Sequence, residues 1–137
     1  MDALINRLRE AVEKAPEVSF AILFGSGATG QLRPTSDVDV AVRFASGRKP
    51  EGWNWGALIA ALESVAGRRV DLVDLETSTS TVLQFEIAKG VLLKGQPNEL
   101  VAFKVRAFRG WREFGPRFRR CARALASHIA QQAEANH

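Results

Sequence analysis

Val18-Ser19-Phe20-Ala21-Ile22-Leu23-Phe24-Gly25-Ser26-Gly27-Ala28-Thr29-Gly30, followed after six residues by Asp37-Val38-Asp39-Val40-Ala41-Val42-Arg43-Phe44, is the stretch on which the reading of the fold turns. Val18 to Phe24 is rich in β-branched and aromatic residues, as a buried strand requires, and it runs directly into a glycine-rich turn. Pro34 forbids a long helix after that turn. The second segment, Asp37 to Phe44, alternates with a period of two. Val38, Val40 and Val42 share one face of a strand and Asp37, Asp39 and Ala41 the other.

Two aspartates at that spacing leave the same face of a strand about 7 Å apart at Cα, near enough to hold one divalent cation from two directions. Left bare they repel; a hard, oxygen-seeking Mg²⁺ or Mn²⁺ removes the repulsion and also binds phosphate. Taken alone, the pair also fits a solvated edge strand. A third acid, Asp71, stands in the apolar run Val70-Asp71-Leu72-Val73, where an unpaired, buried aspartate would be costly. Gly25 has no side chain to obstruct a phosphate, and the Ser26 hydroxyl and the backbone N–H groups that follow can donate to one. A tight turn without a ligand is the alternative for Gly25-Ser26. Asp74 is expected to face away from Asp71, as a solvated group at the strand end.

Outward from this stretch, Leu4, Ile5, Leu8 and Val12 mark an amphipathic helix over 2–14, ended by Pro16. Leu58, Ile59, Leu62 and Val65 mark a crossover helix from Trp55 to Ala66, stopped by Gly67. A third strand is expected over Arg69–Leu75. Thr79 opens a short helix carrying Leu83, Phe85 and Ile87 that stops at Gly90, and Val91-Leu92-Leu93 follows as a brief strand. From Asn98 on, Val101, Val105, Phe108 and Trp111, then Phe114, Phe118, Cys121, Leu125 and Ile129, mark one long helix or two shorter ones, with Pro116 as the break or kink. The lone Cys121 has no disulfide partner and reads as packing.

The ordered set Phe24-Gly25-Ser26, ten residues, Asp37-Val38-Asp39, then Asp71 resembles the minimal nucleotidyltransferase family of the polymerase-β-like superfamily. With the trailing Glu86-Ile87-Ala88-Lys89-Gly90-Val91-Leu92-Leu93, the resemblance spans residues 18–94. It implies an α/β (α+β) nucleotidyltransferase fold: a small mixed sheet flanked by helices, with residues 1–97 as the catalytic domain and 98–137 as a helical C-terminal extension of the same compact unit. It further implies that Asp37 and Asp39 bind two Mg²⁺ ions, that Asp71 helps bind one and accepts the attacking hydroxyl's proton, and that Gly25 and Ser26 hold the β- and γ-phosphates of ATP. Thr29 stands where the family turn usually has an arginine.

Gly25-x-Gly27-x-x-Gly30 also satisfies the dinucleotide-binding pattern, but Pro34 and a strand starting near Asp37 leave no room for the helix that such a unit needs. No Gly-x-x-x-x-Gly-Lys-Ser/Thr is present.

At 137 residues, with 46% hydrophobic and 25% charged residues, the chain fits one globular domain. No apolar run is long enough for a membrane span and the N-terminus has no signal-peptide pattern, so a cytoplasmic protein is expected. The net charge of +4 is uneven, since residues 94–123 hold nine Lys or Arg against Glu99 and Glu113. That polarity suits an acidic protein surface or RNA; a solvated helix face is the plain alternative. About 40 residues lie beyond the catalytic core, too few for an acceptor-binding domain, so a partner is implied. Short members of the resembled family are antitoxins paired with a HEPN-domain ribonuclease, which they silence by binding and, in some systems, by transferring AMP to a tyrosine. This chain has no tyrosine, so such an acceptor lies on another molecule. The basic segment, with Phe108, Trp111, Phe114 and Phe118 among its arginines, is a docking face or simply core packing. A non-catalytic antitoxin, and a transferase acting on RNA or a small molecule, are the competing functions. Arg123 and His128 match the HEPN Arg-x-x-x-x-His pattern, as chance among 14 arginines allows.

Overall fold

The computed structural model describes residues 2–30, 36–77 and 80–113. Its elements run α1 (Asp2–Glu13), β1 (Val18–Phe24), α2 (Ser26–Thr29), β2 (Val38–Phe44), α3 (Trp55–Ala66), β3 (Val70–Asp74), α4 (Thr81–Ala88) and β4 (Val91–Lys94). Helical backbone over 97–113 forms α5. Local chemistry sets several of these bounds. The Asn54 side chain accepts the Gly56 N–H at 2.9 Å to open α3, and Gly67, at φ 69°, closes it in a left-handed conformation. Ser80 opens α4 by accepting the Leu83 N–H at 3.2 Å.

The strands form one mixed sheet in the order β3-β2-β1-β4. β1 is antiparallel to both β2 and β4, while β2 and β3 are parallel. A parallel pair needs a crossover, which α3 supplies. The antiparallel β1–β2 pair is also what rules out a dinucleotide-binding unit, whose corresponding strands are parallel.

Each sheet face carries its own apolar layer. Leu8 and Val12 of α1 and Leu58 and Leu62 of α3 pack on Val18, Ala21, Leu23, Val38, Val40, Val42, Phe44 and Val70. On the opposite face, Ile87 and Ala88 of α4 and Phe103 and Ala107 of α5 pack on Phe20, Ile22, Phe24, Ala41 and Leu75. The valines of β2 thus belong to the first layer and Ala41 to the second, as the period-two pattern requires.

Three differences from the sequence reading have physical causes. The glycine-rich turn contains a single helical turn, α2, flanked by Gly25 at φ 71° and Gly30 at φ 75°. Asp74 is buried, at 6% exposure, instead of solvated: its Oδ1 accepts the Glu76 N–H at 2.9 Å, so the carboxylate closes the turn after β3. On α5 the inward stripe is the buried Phe103 and Ala107 with the half-buried Leu100, whereas Val101 (59%), Val105 (49%) and Phe108 (41%) are exposed. Both stripes have helical spacing, so periodicity alone does not choose between them. The Phe103 ring meets Phe20 at 6.3 Å, and Trp111 stacks on Phe85 at 4.4 Å. The expectations for Pro34, Thr79, Phe114, Pro116, Phe118, Cys121, Arg123, Leu125, His128 and Ile129 fall outside the described residues.

Candidate active site

The parallel register of β2 and β3 sets Asp39 directly beside Asp71. Neighbouring strands lie about 4.8 Å apart, and paired residues of parallel strands project to the same face. Asp37, two residues ahead of Asp39, is on that face too, just outside the start of β2. Asp37 and Asp71 are exposed and Asp39 is partly buried. Burial lifts the Asp39 carboxyl above its ordinary range, and the charges of Asp71 and Asp37 lift it further. Each effect opposes a bare carboxylate at this point.

Exposure of Asp71 changes one step of the sequence argument. β3 is an edge strand, so its second residue reaches solvent in spite of apolar neighbours, and no burial cost attaches to the acid there. What singles out Asp71 is its register with Asp39. Among the described residues, no group of three or more Asp, Glu, His or Cys side chains forms a ready-made metal cage.

The glycine turn closes the other side. Phe24 pairs with Asp39 across β1 and β2, so Gly25 emerges beside the same carboxylate. A Cβ built on Gly25 would stand 2.6 Å from Asp39 Oδ2, and its φ of 71° disfavours any L side chain. Glycine is therefore required twice over. α2 is tied to the turn by the Ala28 N–H on the Gly25 carbonyl at 3.1 Å and by the Thr29 hydroxyl on the Ser26 carbonyl at 3.2 Å. Next to it opens a cavity of about 340 Å³ lined by Gly25, Ser26, Ala28, Thr29, Glu86 and Lys89.

Gly25, Ser26, Asp37, Asp39 and Asp71 thus gather at one end of the sheet, where β1 ends and β2 and β3 begin. Glu86 and Lys89 were not picked out by the sequence reading as site residues. Gly90 brings them there: any Cβ on it would run into the Leu23 carbonyl oxygen, so the end of α4 lies against β1 just before the turn.

Residues 6–99 match the family described as polymerase beta, nucleotidyltransferase. The protein adenylyltransferase MntA of Shewanella oneidensis is 33% identical over 103 residues, covering 74% of this chain and 70% of that protein. A chain in the crystal structure of a toxin–antitoxin with AMP-PNP superposes with a TM-score of 0.70 at 25% identity, over 89% of this chain and 98% of that one. At 23% identity and a TM-score of 0.65, a structure of the tri-AMPylated Shewanella oneidensis HEPN toxin in complex with MNT antitoxin shares the fold, over 91% of this chain and 98% of that one. A strand–turn–strand that delivers a glycine turn and carboxylates to one sheet end, matched over most of the chain, makes this protein a member of the polymerase beta nucleotidyltransferase family, with a nucleotide as its substrate.

Proposed function

We propose that this protein is an antitoxin that transfers AMP from ATP to a tyrosine of a HEPN-domain ribonuclease toxin, the partner with which it forms a hetero-oligomer in the cytoplasm. The observation that carries the reading is the register of Asp39 with Asp71, with Gly25 abutting Asp39. The MntA relative, named as a protein adenylyltransferase, supports the choice of a protein acceptor. Residues 1–97 form the catalytic domain, and α5 extends it. The exposed stripe of Val101, Val105 and Phe108 supports α5 as part of the docking face for the toxin.

The donors fit magnesium. They are hard carboxylate oxygens, and the raised Asp39 pKa reflects burial first and then the charges of Asp71 and Asp37, all of which a bound cation offsets. Asp37, Asp39 and Asp71 would hold two Mg²⁺ (or Mn²⁺), which when bound offset charge on the phosphates. The acceptor tyrosine oxygen forms a bond to the α-phosphorus, the bond from that phosphorus to the β-phosphate bridging oxygen breaks, and pyrophosphate leaves. Asp71, exposed beside Asp39, takes the hydroxyl proton. Gly25 and Ser26 keep the β- and γ-phosphates in place through the open face of the turn.

Label from α-³²P-ATP is expected to appear on a co-expressed HEPN partner in the presence of Mg²⁺ and to be absent with EDTA. No label on the partner with wild-type protein refutes the transferase. If the doubly substituted Asp37→Asn, Asp39→Asn protein still protects cells from the toxin, neutralisation is by binding. Salt-sensitive binding and labelling of RNA in place of the protein would favour the RNA transferase.

A further inference from the structure

We infer that Lys89 binds the departing pyrophosphate end of the nucleotide, as the cation of the phosphate cavity; the inference rests on the nucleotide-transfer reading above. The antiparallel register of β1 and β4 pairs Leu23 with Val91 and Ile22 with Leu92. Val91 opens β4 beside Leu23 directly after α4 ends at Lys89-Gly90, so the end of that helix stands next to the end of β1. Two independent features agree with it. Gly90 has no Cβ, which lets the end of α4 lie against the Leu23 carbonyl, and Lys89 lines the same cavity of about 340 Å³ as Gly25 and Ser26.

The chemistry of that cavity calls for a cation. A triphosphate brings several negative charges to a site where Asp39 already lies beside Asp71 and shares a face with Asp37. The turn itself offers only dipoles, since the Thr29 hydroxyl is spent on the Ser26 carbonyl at 3.2 Å. Among the described residues lining the cavity, Lys89 carries the one positive charge and Glu86 the one negative charge. The carboxylates that face the reacting phosphorus do not line this cavity. Lys89 therefore meets the phosphates on the far side of the turn, which become the leaving group.

Lys89 is also free to change partner. Its Nζ is 3.0 Å from Glu86 Oε1, but both side chains are half-exposed. An ion pair of that kind contributes little net stability, so a phosphate displaces it readily. The Phe85 ring, 4.8 Å from Nζ, limits the directions in which the ammonium swings. Glu86 then acts against the nucleotide, by competing for Lys89 and by repelling phosphate.

The test is calorimetric titration of the full chain with Mg²⁺-AMP-PNP and, separately, with AMP. Lys89→Ala is expected to weaken AMP-PNP about tenfold, the scale of one charge-assisted contact, and to leave AMP within about twofold. Lys89→Arg should restore most of the lost affinity, and Glu86→Gln should tighten AMP-PNP by about twofold to fivefold. Equal binding of AMP-PNP by wild type and Lys89→Ala, or equal losses for AMP and AMP-PNP, overturns the role of Lys89 and leaves the transferase reading standing. Failure of wild type to bind AMP-PNP at all overturns both.

Discussion

On the α1/α3 face of the sheet, apolar side chains run the whole length of β2, from Val38 through Val40 and Val42 to Phe44, and helices cover them throughout. On the α4/α5 face the same strand supplies Ala41 to the apolar layer, and toward its start it presents Asp39 and then Asp37. β3 repeats the arrangement, with Val73 packed against the second layer and Asp71 ahead of it. One face is finished as core; on the other, Ala41 stands between the carboxylates and Arg43, which pairs with Glu76 at 2.8 Å. Function sits where apolar cover stops, and the two faces should respond to substitution in different ways.

The sharpest separation is expected from Asp37→Asn with Asp39→Asn. Removing both charges takes away the groups proposed to hold the metals, and AMP transfer should fall at least about 10³-fold, a loss of several kcal/mol of transition-state stabilisation. Circular dichroism should report an unchanged fold. Transfer retained within tenfold would mean that the carboxylate end of this face is not the reacting centre. The mirror experiment is Leu62→Ala on the other face. Leu62 of α3 is fully buried against the sheet, so truncation should cost about 2–4 kcal/mol in urea unfolding and leave transfer per folded molecule within about twofold. A large loss of specific activity would show that the two faces are coupled.

Most of this division was legible from residue order. The alternation of β2 assigns Val38 and Asp39 to opposite faces without any structure, and the bounds of α3 follow from Trp55 and Gly67. What periodicity does not carry is depth. Asp71 and Asp74 both stand in an apolar run, yet Asp71 is exposed and Asp74 buried, because β3 is an edge strand and Asp74 turns back to hold the Glu76 N–H. Strand order and turn hydrogen bonds are tertiary facts. α5 teaches the same lesson, since Leu100, Phe103 and Ala107 and the exposed Val101, Val105 and Phe108 are equally helical in spacing. Chain order gives Lys89 no such mark, because it meets Gly25 and Ser26 only at the cavity they line together, residues far apart in the chain.

An intermediate effect is expected at the boundary between turn and carboxylates. Gly25→Ala introduces a Cβ against Asp39 Oδ2 and holds it at φ 71°, so the side chain or the turn must shift. The cost should be about 1–3 kcal/mol in stability, with a larger loss in transfer, because the displaced groups are those that meet the phosphates. If stability falls and transfer per folded molecule does not, the turn is structural only.

The smallest effect has the most to say about why this end of the face is unfinished. Asp39→Asn alone should raise the thermal midpoint of the metal-free protein by about 1–3 °C at neutral pH, in the same substitution that impairs transfer. The sign follows from the raised folded-state pKa, which burial and then Asp71 and Asp37 produce. A raised carboxyl favours its protonated form in the folded chain, so its ionisation opposes folding above that pKa and costs nothing below the unfolded value. The gain from asparagine should therefore be full near neutrality, shrink as the pH falls through the folded-state value, and vanish in acid below the ordinary carboxylate range. Saturating Mg²⁺ should reverse the order, since a cation bound to the aspartates stabilises wild type and has less to hold in the variant. A metal-free wild type as stable as Asp39→Asn at every pH would mean that the three carboxylates are already far enough apart to be at ease, and that the end of this face is ordinary surface.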